Sequence, residues 1–360
     1  DPRGVVLSHQ CLVREAAISV EGFQQTDKDI VLLFALPMHH MFGLVAVLLA
    51  SIYKGSTVVI VPGTGLSISN FTAVIEREKG TMFLGVPYIF ALLVGMAERE
   101  GIKNNLSSLR LCASAGAPLP IDITVRFKQH YGFDILDCWG LTEGVCHLTC
   151  PPIDGSRKLG SIGKALPGWE VKIVGDDGRE LPPNQAGEII ARGLLMKGYY
   201  NNPQATAEVI KDSWLYTGDI GKVDEDGYFF ITGRKKETII VKGQNIHPGE
   251  IEGVLHTHPK VAEAAVIGVP DEMRGEVVGA VVSLKKDEVA TEQEIKRFCL
   301  ERIANYKVPK QVAFLDSLPK TAAGEIDKES IRDCLSIPPL FPVGAIRLVE
   351  GIAPLKLSVE

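Results

Sequence analysis

Short apolar runs alternate with helix-length stretches through the first 140 residues, and this alternation constrains the fold more than any other feature. Strand-like runs at residues 30–36, 57–61, 109–113 and 133–136 are interleaved with helical patterns at 70–79 and 121–131. Strands that alternate with helices predict parallel sheets covered by helices, an α/β class. Between residues 160 and 234 the texture changes to short strands separated by "GDDG", "LPPNQAG" and "DEDG". Turns of that kind predict an antiparallel β region. After Arg234 the alternation resumes in a smaller unit that ends in an amphipathic helix over 291–302, and we expect a compact α+β lid there. The expected organisation is therefore a large unit over 1–235, a lid over 236–335, and a tail over 336–360. The tail holds Pro338, Pro339, Pro342 and Pro354 and has no period, so it is left unassigned. No internal repeat is present.

Composition narrows the function. With 46% hydrophobic residues in 360, the chain can bury a sizeable core in more than one domain. A net charge of −6 gives no global electrostatic case for nucleic acid or an anionic membrane, so any anionic ligand must be held locally. The longest apolar run, residues 41–53, is interrupted by Gly43 and falls short of the roughly 20 residues that a membrane span needs. It reads as a buried core helix. Seven scattered cysteines fit reduced thiols in a cytoplasmic protein better than a disulfide framework. "CHLTC" at 146–150 lacks a second ligand pair, so no metal is expected there.

Eight blocks then occur in one order: "RGVVLSH" (3–9), "LPMHHMFG" (36–43), "SAGAPLP" (114–120), "CWGLTEG" (138–144), "GEIIARG" (187–193), "YTGD" (216–219), "ITGRKKETIIVKGQNIHPGEIE" (231–252) and "LPKTAAGEIDKESIR" (318–332). Together they resemble the adenylate-forming superfamily, which includes acyl-CoA synthetases, coumarate-CoA ligases, beetle luciferases and peptide-synthetase adenylation domains. The likeness runs from residue 1 to about 335. It implies the adenylate-forming fold, with parallel sheets, a small β region and a C-terminal lid. The opening "DPRG" resembles the end of the family's Gly-rich phosphate loop, with Arg3 where relatives carry Lys. Relatives also have a large stretch before that loop, so the chain looks truncated.

The resemblance implies roles for particular residues. Thr142 and Glu143 would supply a hydroxyl to phosphate and a carboxylate to Mg²⁺, a hard cation that prefers oxygen. Trp139 stands where relatives have Tyr and would stack on adenine, with Gly116, Ala117 and Pro118 as the opposite wall. Asp137, Cys138, Gly140 and Ile231 would complete the nucleotide contacts. Asp219 resembles the carboxylate that accepts hydrogen bonds from both ribose hydroxyls, and Arg234 the contact to ribose and phosphate. Lys236 falls at the hinge about which the lid would rotate between half-reactions. His40 would line the substrate channel near the carboxylate, with His39 a spectator. Gly243 would flank the tunnel for the pantetheine arm of coenzyme A.

The implied chemistry joins a carboxylate to the α-phosphate of ATP, then transfers the acyl group to a thiol. One departure bears on it. Relatives carry a Lys that bridges carboxylate and phosphate in the position held here by Glu325. Losing such a donor typically costs about 10²–10³ in rate, and Lys328 is not expected to replace it. "GVPYIFALLV" (85–94) and Gly140 are read as leaving an apolar channel open to an alkyl chain, and Ile240 stands where coumarate ligases have Lys. Together these favour a fatty acid over an aryl acid. Two other readings remain open: a silent remnant that binds nucleotide or acyl groups, and an adenylation module that loads a carrier protein.

Overall fold

In the computed structural model, residues 3–36, 38–61, 68–241, 244–271, 275–320 and 326–336 are described. A five-stranded parallel sheet is built from Ile30–Phe34, Thr57–Val61, Met82–Gly85, Leu111–Ser114 and Ile135–Asp137. Its spatial order puts the second strand outside the first, then the third, fourth and fifth. Successive strand residues enter opposite cores. Val31 and Leu33 pack with Trp139, Trp169 and Phe229, while Leu32 and Phe34 pack with Phe71, Phe83 and Phe90. Both faces are thus covered, as a parallel sheet requires.

The Ile121–Tyr131 helix has the predicted bounds. Pro120 precedes it, and Gly132 ends it in the left-handed region at φ 78°. The apolar run at 41–53 is buried or half-buried as far as Ser51, and its first part is wound as a π-helix over Phe42–Leu49. Ala50–Lys54 follows as an α-helix, with Ile52 and Tyr53 exposed. A run that is apolar on every side has no phase from which the winding could be read. No helix among the described residues is long and apolar enough to cross a membrane.

The predicted antiparallel region is a sheet of Glu170–Val174, Gly187–Arg192, Ile210–Lys211, Trp214–Val223 and Phe229–Arg234. The C-terminal unit has its own sheet, in which Val261–Asp271 pairs antiparallel with Gly275–Leu284, and Gln311–Phe314 adds parallel to the latter. Its two core clusters begin at Ile239 and Ala265 and contain no earlier residue. The Glu292–Leu300 helix is capped by the Thr291 side chain, which accepts the Glu294 N–H.

Candidate nucleotide site

Open α/β sheets bind ligands beyond the carboxyl ends of their strands, and most of the expected contacts leave this sheet at that end. Ser114 and Asp137 are register neighbours on the last two strands. After Ser114 the chain turns at Gly116, whose φ of 89° favours glycine, and Ala117 and Pro118 follow at or near the surface. Desolvation holds the Asp137 carboxyl well above the usual range, opposed by the Leu119 N–H that bonds its ionised form. Cys138 and Cys150 are both buried with their sulfurs 3.3 Å apart. Burial, then Cys150, push the Cys138 thiol up.

Trp139 is clamped by its backbone. Its N–H reaches the Thr149 carbonyl at 3.2 Å, and its carbonyl accepts the Leu148 N–H at 2.8 Å. The ring is 7% exposed, and its Nε1–H donates to Asp219 Oδ2 at 2.8 Å. Asp219 and Arg234 are cross-strand partners, and Arg234 Nε lies 3.3 Å from Asp219 Oδ1. Burial raises the Asp219 pKa, while Arg234 and the indole N–H favour the ionised form. Ile231, on the strand that carries Arg234, is half-buried against the core. Residues 139, 219 and 234 are thus brought together across a sequence span of almost 100 residues.

Thr142 and Glu143 sit on one 3-10 turn, Thr142 exposed and Glu143 half-buried. Tyr199 donates its O–H to Glu143 Oε1 at 2.7 Å. Desolvation and this bond push the Tyr199 phenol up to about 12. Tyr199 pairs in register with Val5, and the Arg3 guanidinium lies 5.2 Å from its ring centroid. Arg3 therefore approaches the Glu143 turn through Tyr199, a residue the sequence reading missed. The only cue was the aromatic pair in "GYYNNP" at 198–203. The neighbouring Thr142 hydroxyl and Glu143 carboxylate form an oxygen donor set that fits a hard divalent cation. His40 is exposed in the turn after the first sheet strand, and its Nδ1 accepts the Phe42 N–H at 3.2 Å, leaving the proton on Nε2. Desolvation, then His39, lower its pKa.

One expectation about the channel is overturned, and another is met by only part of its segment. A Cβ on Gly140 would meet the Cys146 carbonyl oxygen at 1.9 Å and the His147 Cα at 2.5 Å, so this glycine permits backbone contact and opens no channel. Within 85–94, Ile89, Phe90, Leu93 and Val94 are buried in the second core, whereas Val86 and Leu92 are half-buried and Tyr88 is exposed. "CHLTC" does not act as a unit either. Cys146 and His147 meet Glu15, the one grouping of metal-ligand type among the described residues. Burial pushes Glu15 up to about 8 despite a Trp169 N–H, and His147 down to about 4.

The segment around Lys236 is held from both sides. Lys235 Nζ meets Glu188 Oε2 in the antiparallel sheet at 2.8 Å. Glu237 Oε2 meets Lys328 Nζ at 2.9 Å, and Glu252 binds the same ammonium at 2.9 Å. Lys236 between them is exposed. Lys328 is thereby committed within the C-terminal unit. Gly243 and Glu325 lie outside the described residues.

Comparison with known proteins covers most of the chain. Residues 1–200 match the model of the AMP-binding enzyme family, and residues 250–325 that of the AMP-binding enzyme C-terminal domain. A long-chain-fatty-acid–CoA ligase of Bacillus subtilis is 37% identical over 329 residues, which is 90% of this chain and 58% of that protein. An indoleacetate–CoA ligase of Aromatoleum aromaticum is 37% identical over 342 residues, 93% of this chain and 65% of that protein. Among solved structures, ATP-bound MatB from Rhodopseudomonas palustris superposes with a TM-score of 0.86 at 31% identity, covering 93% of this chain and 65% of that one. The chain thus spans about three fifths of the length of these relatives.

Proposed function

The chain belongs to the AMP-binding enzyme family, and from that premise we propose that it is the nucleotide-binding part and lid of an ATP-dependent acid–thiol ligase. The observation that carries this reading is the meeting of Trp139, Asp219 and Arg234 beside the Thr142–Glu143 turn. Asp219 would accept the ribose hydroxyls and Arg234 would reach ribose and phosphate. Ala117, Pro118 and the backbone of Gly116 would wall the base, with Asp137, Cys138 and Ile231 beneath. His40 would offer its Nε2–H toward the carboxylate substrate. Thr142 and Glu143 would hold Mg²⁺, which when bound offsets charge on the phosphate oxygens.

The reaction has two steps. A carboxylate oxygen attacks the α-phosphorus of ATP and pyrophosphate leaves; a thiol sulfur then attacks the acyl carbon and AMP leaves. For the second step we assign the hinge to Lys236 and the entry of coenzyme A to the Gly243 segment, with the division between units at 235/236. A fatty acid is our first choice of acid, supported by the Bacillus subtilis relative, and an aryl acid the second, supported by the indoleacetate relative. We assign the protein to the cytoplasm on its cysteine pattern.

ATP–pyrophosphate exchange in the whole protein, with a panel of fatty and aryl acids, tests this. Exchange with one class of acid names the substrate; no exchange with any acid overturns the ligase reading. One observation favours a second reading in that event. Lys328 is held by Glu237 and Glu252, and the sequence carries Glu325 where relatives have Lys. Retained AMP binding without exchange, and rescue by Glu325→Lys, would identify a nucleotide-binding remnant.

A further inference from the structure

We infer that Trp139 serves this site as a positioning residue for Asp219, acting through its indole N–H, and that the N–H contributes more to nucleotide recognition than the ring face does. The inference rests on the nucleotide-site reading above. Four observations support it. The indole is almost wholly buried, so little of either face is open to a base. Its N–H is spent on Asp219 Oδ2 at 2.8 Å. Its backbone is pinned at both N–H and carbonyl by the 148–149 segment, so the indole direction is fixed before any ligand arrives. Asp219 is itself under a tenth exposed, so a carboxylate turned the wrong way has no water to compensate it.

The lone pairs count in favour of a diol. Each carboxylate oxygen can accept two hydrogen bonds. Trp139 takes one on Oδ2 and the more exposed Arg234 approaches Oδ1 at 3.3 Å. At least one acceptor direction remains on each oxygen, which suits two adjacent ribose hydroxyls. Without the indole N–H, Arg234 is the only strong donor left on Asp219 among the described residues, and the carboxylate can rotate toward it. The plane that meets the diol is then lost, although the charge remains.

The test is Trp139→Phe in the whole protein, which keeps a ring in place and removes the donor. Pyrophosphate exchange is measured with ATP, 2′-deoxy-ATP and 3′-deoxy-ATP. We expect KM for ATP to rise about ten-fold with kcat within about two-fold, the loss of one hydrogen bond to a charged group. The preference for ATP over either deoxy analogue should fall by a similar factor. That preference is a ratio within one preparation, so partial misfolding of the variant does not alter it. In an Asp219→Asn background, Trp139→Phe should change the ratio less than two-fold. An unchanged preference in Trp139→Phe, or a full effect in the Asp219→Asn background, overturns the inference. Calorimetry with AMP separates the two readings. A wild-type protein that fails to bind AMP overturns the nucleotide site and this inference together, whereas a wild type that discriminates as well as its Trp139→Phe variant overturns the inference alone.

Discussion

Asp219 and Glu188 are carboxylates on neighbouring strands of one antiparallel sheet, each 8% exposed, yet their partners differ in kind. Glu188 receives the Lys235 ammonium at 2.8 Å and the Gly218 N–H at 3.1 Å. Asp219 receives a neutral indole N–H at 2.8 Å and an exposed guanidinium at the longer distance of 3.3 Å. Burial demands that a carboxylate be compensated, but the partner decides whether its charge is used up within the protein or left for a ligand. Glu188 reads as a tie between segments, Asp219 as a receptor.

Removing the receptor should have the largest effect. Asp219→Ala is expected to lower kcat/KM for ATP by on the order of 10²–10³, two hydrogen bonds to a charged group, with at most a modest drop in Tm, because the loss of a buried charge offsets the indole N–H left unpaired. A large drop in Tm with activity retained would make Asp219 a tie like Glu188. Next comes a third buried carboxylate that is neither tied nor open. Glu15 ordinarily titrates near 4.5 and is pushed up to about 8, so between those values the folded chain keeps a proton the unfolded chain has lost, and stability falls as pH rises. His147 acts oppositely below its ordinary 6.5, being held neutral down to about 4. The two offset each other up to pH 6.5, and from there to pH 8 Glu15 alone should cost about 2 kcal/mol. Urea unfolding at both pH values should show that decline in the wild type and not in Glu15→Gln. A flat wild-type profile would mean that the folded pair holds no proton over this range, with Glu15 ionised beside a neutral His147.

The tie itself is worth less. Glu188→Gln should lower stability by about 1 kcal/mol and leave pyrophosphate exchange within about two-fold; loss of exchange without loss of stability would erase the contrast with Asp219. The smallest effect belongs to Lys235→Met, at most about 0.5 kcal/mol for a half-exposed cation and less at high salt, read from Tm at two ionic strengths.

Local patterns in the sequence were informative where one segment decides its own structure. The Ile121–Tyr131 helix lies between a proline and a left-handed glycine, and Thr291 caps its helix with its own hydroxyl. Features set by distant partners were not legible. Tyr199 meets Glu143 from 56 positions away, and the Trp139 indole finds Asp219 across 80. Gly140 could be read as an opening because nothing nearby in sequence announces the Cys146 carbonyl against it. The run at 85–94 shows that an apolar pattern identifies a face to be buried without saying whether protein or ligand covers it.

The two clasps around Lys236 have a mechanical consequence. Lys235 is fastened to the sheet of Glu188, and Glu237 to the C-terminal helix through Lys328, so a turn of the lid about Lys236 would leave both fastenings closed. The proposed swing would then be absorbed by little more than one pair of backbone torsions, like a door on a single pin. Such a joint would give the lid a defined axis while leaving these two ion pairs unbroken. Salt, which loosens surface ion pairs, should then have little hold over the rate of the proposed turn.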